Sequence, residues 1–85
     1  KILVTHGHNY YLSMNNEFLK QDASARGFDI VMYGHTHRPV IDKKGKIIAV
    51  NPGSLTYPRQ EGRRPTYAVM EIEKKNIKRL EIVYL

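Results

Sequence analysis

All four histidines of this 85-residue chain fall into two His-x-His units, His6-Gly7-His8 and His35-Thr36-His37. Imidazole is a nitrogen donor that is largely neutral near physiological pH, and two imidazoles one residue apart can be turned toward a common point. The occupants suited to such a point are a metal ion or a pair of them. Each unit directly follows an apolar run. The first follows Ile2-Leu3-Val4, and the second follows Ile30-Val31-Met32-Tyr33 with Gly34 releasing it. An isolated His-x-His pair is more often a pair of polar loop residues bonded to backbone. Two pairs in the same setting, just past a strand, turn that balance toward a metal site.

The elements that must position these histidines are legible from periodicity. Residues 1–5 read as a short strand, apolar on both faces and suited to the interior of a parallel sheet. From about Tyr11 to Arg26 the pattern is helical, with Leu12, Phe18, Leu19, Ala23 and Ala25 as its apolar positions. Gly27 suits the left-handed residue that ends a helix, and Ser13 or Asn15 suits its N-cap, with Glu17 in the first turn. Residues 28–33 return to strand. Strand, helix and strand in this span make a βαβ unit, which implies a parallel pair with a right-handed crossover. His6 and His35 then lie side by side at the C-terminal edge of the sheet, where open α/β sheets place their ligand sites.

Downstream the pattern is antiparallel. Val40-Ile41 and Lys46 to Val50 flank Asp42-Lys43-Lys44-Gly45, a hairpin turn with Gly45 where positive φ is needed. Asn51-Pro52-Gly53-Ser54 is a tight loop, and residues 55–64 are irregular. Thr66 to Ile72 and Ile77 to Leu85 form a second hairpin through Glu73-Lys74-Lys75-Asn76, with Leu80, Ile82 and Tyr84 alternating against Arg79, Glu81 and Val83. The fold class is α/β, a βαβ unit followed by antiparallel hairpins.

Composition narrows the function classes. There is no cysteine, so neither a disulfide framework nor a thiolate zinc site can reinforce a core near the lower size limit for unaided folding. The absence of cysteine also fits the cytoplasm, which is the expected setting, and no apolar segment approaches the length of a membrane span. The net charge of +6 raises nucleic-acid binding as one reading. Most lysines, however, fall in turns and near the terminus, where they solvate edges. Arg59, Arg63 and Arg64 cluster in one loop and could hold a phosphate by bidentate contact, or simply be solvated. Tyr10 and Tyr11 could line a pocket rim or cover the core. The chain opens inside a strand, and the expectation is that residues 1–85 are the C-terminal part of one larger domain. An apolar strand without flanking neighbours also raises self-association.

Three imidazoles alone suit a zinc site, but no carboxylate stands near either cluster, and a two-metal hydrolytic centre needs one. Taken in order, Thr5-His6-Gly7-His8, Gly34-His35-Thr36-His37 and Asn51-Pro52-Gly53-Ser54 resemble the calcineurin-like metallophosphoesterase superfamily, and within it the compact bacterial and archaeal phosphodiesterase branch. The run Ser54 to Arg59 and the strand opened by Pro65-Thr66-Tyr67 are similar to that branch as well. The resemblance extends over essentially the whole chain but only to the C-terminal half of the family's α/β/β/α sandwich. The N-terminal half, with its Asp-x-His, Gly-Asp and Gly-Asn motifs, has no counterpart here.

The resemblance implies a phosphodiesterase acting through two divalent ions (manganese, iron or zinc, with manganese favoured) and a hydroxide between them. It implies His6 and His35 as ligands of one ion and His37 as a ligand of the other, the remaining ligands coming from the N-terminal half. His8 matches no ligand position and is expected to touch the substrate or support a ligand, with a plain structural hydrogen bond as the equal alternative. Asn51, Gly53, Ser54 and Arg59 are expected near the substrate, a phosphodiester that could be a nucleotide. Thr36 is expected to stabilise its turn. The alternative within the same superfamily is a scaffold subunit of a membrane-trafficking coat, with the same fold and little or no catalysis.

Overall fold

The computed structural model describes residues 1–10, 15–60 and 62–85 of the chain. A helix start between Tyr11 and Met14, the Ser13 cap and the place of Tyr11 lie outside the described residues. The elements are β1 (Ile2–Val4), α1 (Glu17–Ala25), β2 (Ile30–Met32), β3 (Val40–Asp42), β4 (Ile48–Asn51), β5 (Thr66–Glu73) and β6 (Asn76–Tyr84). Four strands form one sheet in the order β1-β2-β4-β3, and β5 pairs with β6 in a separate two-stranded sheet. β1, β2 and β4 are mutually parallel, and β3 closes the sheet antiparallel to β4. The βαβ unit and both hairpins are therefore present as read from the sequence.

α1 ends where Gly27 was expected to end it. Gly27 has φ +80°, its amide donates to the Ser24 carbonyl at 3.1 Å, and the Phe28 amide donates to the Ala23 carbonyl at 3.0 Å. These are the two reverse bonds that satisfy a helix C-terminus. At the other end the N-cap residue is Asn16, which makes no side-chain cap bond, while Asn15 Oδ1 accepts from the Glu17 amide at 3.0 Å.

The register explains the core. Leu3, Val31 and Ala49 are aligned across three parallel strands and share a face with Tyr33. Leu19 and Ala23 of α1 pack onto that face together with Ile47, while Tyr10 and Phe28 cover its rim. The opposite row, Ile2, Ile30 and Ile48, faces Ile72 and Ile77 of the hairpin across a cavity of about 550 Å³. β1 has the one-sided pairing expected of an apolar strand without a flanking neighbour. It occupies the edge of the sheet, and Val4 is 73% exposed. A strand apolar on both faces, paired on one side only, leaves part of that surface in water.

A polar clasp holds α1 to the β3–β4 turn. The buried Lys20 Nζ lies 3.3 Å from Asp42 Oδ2 and donates to the Lys44 carbonyl at 2.7 Å, while Asn16 Nδ2 donates to Asp42 at 3.0 Å. Burial pushes the Asp42 carboxyl up, but the Lys44 amide, Asn16 and Lys20 outweigh it and hold the group below the ordinary carboxylate range. A carboxyl with a depressed folded pKa contributes stability that is present above its unfolded pKa and lost as pH falls through the folded one. Denaturant midpoints should therefore be flat near neutrality and fall below about pH 4. Asp42→Asn should lower the neutral midpoint and flatten the acid limb.

The second hairpin turns through Lys74 and Lys75, both at positive φ, 49° and 70°. The expected alternation holds for half-buried Leu80 and Ile82 against exposed Arg79 and Glu81. It fails at the end, where Tyr84 is exposed and Val83 half-buried. Among the described residues no helix is long and apolar enough to cross a membrane.

Candidate metal centre

Parallel pairing delivers three loops to one edge. The Thr5 amide donates to the Met32 carbonyl at 2.9 Å, the Gly34 amide to the His6 carbonyl at 3.1 Å, and the Tyr33 amide to the Val50 carbonyl at 3.0 Å. Residues 5–8, 34–37 and 51–54 thus leave neighbouring strands side by side. The third loop arrives because β4 pairs with β2, a placement the hairpin pattern alone did not announce.

His6 and His35 meet as expected of neighbouring strands. Their rings stand edge to face with centroids 5.1 Å apart. His8 joins them, its Nδ1 3.2 Å from that of His6. His37 is held differently. Its Nδ1 lies 3.0 Å from the Tyr57 carbonyl, its own carbonyl accepts the Arg59 amide at 3.1 Å, and its ring stacks on Tyr57 at 6.4 Å. A carbonyl only accepts, so His37 Nδ1 carries the proton, and in the neutral ring Nε2 holds the lone pair that a metal would use. His6, His8 and His35 are exposed and His37 is half-buried, so the edge is open to solvent.

His35 and His37 both have positive φ, 65° and 60°. Residues other than glycine avoid this region at a cost of order 1–3 kcal/mol, and such positions cluster at ligand sites. The brace that holds them there is Asn51, which is 0% exposed. Its Nδ2 donates to the Gly34 carbonyl at 3.0 Å and to Thr36 Oγ1 at 2.9 Å, and its Oδ1 accepts the Gly53 amide at 2.9 Å. The 51–54 loop was expected to pack against the histidines with backbone amides near the substrate, and the Asn51 side chain, committed inside the protein, ties that third loop to the second. Thr36 also accepts the Arg38 amide at 3.3 Å, which is the turn-stabilising part expected of it. Asn51→Asp keeps the shape but sets a carboxylate oxygen against the Gly34 carbonyl, and only the Thr36 hydroxyl can turn to donate to it. Spectra of the 34–37 loop should change, and stability should fall by about 1–3 kcal/mol in denaturant titration.

The other sequence candidates separate by role. Ser54 Oγ accepts the Tyr57 amide at 2.9 Å and so shapes the loop that grips His37. Gly53, at φ +86°, lets the chain pass Thr66. Arg59 and Arg63 line a cavity of about 310 Å³ with Thr56, Tyr57 and Pro58, and Tyr57 is 71% exposed. Arg64 leaves the cluster: it donates to the Tyr84 and Leu85 carbonyls and lies over the Tyr84 ring. Tyr10 covers the core, its hydroxyl donating to Asp22 at 2.8 Å, a bond that raises its pKa above the ordinary phenol value. Tyr57 was not singled out from the sequence, because its grip on His37 runs largely through a backbone carbonyl.

Among the described residues, no three histidine or acidic side chains stand together as a group able to hold a metal ion. His6 and His35 are brought together, but no such group joins them to His37. The imidazole donors fit a borderline divalent ion. They supply a share of a two-ion centre, with no carboxylate to bridge it.

The family model described as the calcineurin-like phosphoesterase superfamily domain matches residues 1–75. Phosphodiesterase YfcE of Escherichia coli K12 is 34% identical over 71 residues, which is 84% of this chain and 34% of that protein. Probable metallophosphoesterase YsnB of Bacillus subtilis is 35% identical over 74 residues, 86% of this chain and 43% of the relative. The match thus spans less than half the length of each of these curated relatives. Among solved structures, a predicted phosphoesterase from Streptococcus pneumoniae superposes with TM-score 0.81 at 34% identity, covering 95% of this chain and 47% of that one. Vps29 of Entamoeba histolytica, solved in complex with zinc, superposes with TM-score 0.72 at 21% identity over 96% of this chain and 53% of its own, a likeness of fold. The chain belongs to the calcineurin-like phosphoesterase superfamily.

Proposed function

We propose that this chain supplies the histidine-bearing edge of a metal-dependent phosphodiesterase site. The observation that carries the reading is the pair His35 and His37, both in left-handed backbone on a loop braced by the buried Asn51. Names of relatives, a phosphodiesterase and a metallophosphoesterase, support the same reading. His6 and His35 hold one divalent ion and His37 Nε2 a second. The rest of the ligands come from the N-terminal part of the domain that the longer relatives span. Such ions, with manganese favoured over iron or zinc, supply Lewis acidity at the phosphoryl oxygens and activate water. Arg59, beside the exposed Tyr57, faces the phosphodiester, and a nucleotide fits the aromatic and cationic character of that cavity. The setting is the cytoplasm, and the exposed β1 edge seats the N-terminal part or a second copy.

The test is hydrolysis of an aryl phosphodiester with and without manganese. The 85-residue chain alone should turn over negligibly. The domain completed by an N-terminal part should show manganese-stimulated cleavage, and a completed domain that binds manganese without cleaving would refute the reading. The scaffold alternative draws on Tyr67, Ile72, Tyr84 and Leu85, large apolar side chains exposed on and beside β5 and β6. It gains if that inactive outcome is found and the hairpin face captures a partner.

A further inference from the structure

We propose that His6 and His8 form a two-nitrogen chelate for one divalent cation, so that His8 is a metal ligand and not an outer contact. The inference extends the metal-site reading but does not depend on hydrolysis. Their Nδ1 atoms face each other at 3.2 Å. Two ring nitrogens bound to one ion at about 2.0–2.1 Å stand about 2.9–3.4 Å apart for bond angles between a right angle and the tetrahedral value. The separation is that of two corners of one coordination polyhedron.

The backbone holds the pair in this pose. Gly7, buried and at φ +95°, turns the chain between them, a conformation a side chain would resist. The His6 carbonyl is pinned by the Gly34 amide and the Gly7 carbonyl by the Tyr10 amide, each at 3.1 Å. Tyr10 is itself anchored on helix α1 through Asp22 at 2.8 Å. The loop is therefore braced on both sides, which is what a chelate of exposed side chains needs to bind without a large ordering cost. The His35 ring, edge-on to His6 with centroids 5.1 Å apart, is the nearby third imidazole. It is exposed and completes the set by turning toward the ion. A donor set of imidazoles without carboxylate favours zinc, nickel or copper over magnesium or calcium.

The competing account is a plain N–H···N bond between the two rings. Zinc alone, titrated into the purified 85-residue chain and followed by calorimetry and by the imidazole C–H resonances, separates the two. Near-stoichiometric binding that shifts the His6 and His8 resonances together is expected, and His8→Ala should abolish it, whereas a loss of only about 10–100-fold is what an outer contact would give and would overturn the chelate. His8→Gln keeps a hydrogen-bonding amide without an imidazole and should lose binding as fully, with amide spectra checking the fold of each variant. Wild-type affinity in either variant would overturn the chelate. If His6→Ala and His35→Ala lose zinc while His8→Ala retains it, the chelate fails and the metal-site reading survives. If none of the variants changes binding, both fail.

Discussion

Gly53→Ala should lose most of the stability of this chain. A Cβ built at Gly53 falls 1.9 Å from Thr66 Oγ1 and 3.3 Å from Pro39 Cβ, and the backbone there has φ +86°. Left-handed backbone in a residue with a side chain costs of order 1–3 kcal/mol. Forcing a methyl into packed space costs about 1–3 kcal/mol more. The total of about 2–6 kcal/mol is comparable to the stability of a small domain. Relief is hard to find, because Thr66 is buried and its hydroxyl donates to the Pro52 carbonyl at 2.8 Å. Turning it away breaks the bond that closes the same loop. Thermal or urea unfolding of Gly53→Ala beside Gly53→Ala/Thr66→Ala checks the cause. The second change should recover the steric part and leave the backbone part.

The largest expected effect on activity falls on His35 and His37. In the completed domain, either one replaced by alanine should lower turnover by at least about 10²–10⁴-fold, the equivalent of about 3–5 kcal/mol of transition-state charge stabilisation. Each removes an imidazole nitrogen from a loop held in left-handed backbone. Both side chains are on the exposed or half-buried edge, so folding should survive. The two should differ in what they leave behind. His37→Ala also removes the ring's bond to the Tyr57 carbonyl and its stacking on Tyr57, which lines the cavity with Arg59, so the Michaelis constant should rise as well, whereas His35→Ala should act mainly on turnover. Steady-state kinetics with metal analysis of each variant decides it. Wild-type metal content and turnover in His35→Ala would remove that residue from the centre.

The parts of this fold written locally were legible. The apolar runs at β1 and β2, the helical spacing between them and Gly27 at the helix end identify the βαβ unit, because each depends on residues near one another. The two hairpins were legible from Gly45 and from the polar cluster 73–76, although the second turn uses two lysines at positive φ where glycine or asparagine is the usual signal.

What long-range pairing decides was not legible. β4 reads as one arm of a hairpin with β3, and nothing in its residues says that its other edge pairs with β2. That pairing brings Asn51 under the histidine loop and makes a turn-forming residue the buried brace of the site. Arg64 looks like its neighbours Arg59 and Arg63, yet the end of β6 takes it.

The most direct measurement of the central claim, that the three loops at the C-terminal edge hold the metal, is paramagnetic broadening by manganese in an amide spectrum of the chain. Substoichiometric manganese should erase resonances of residues 5–8, 34–37 and 51–54 first, leaving β5 and β6 sharp. Broadening centred instead on the acidic residues of that hairpin, Glu71, Glu73 and Glu81, with the histidine loops untouched, would contradict it.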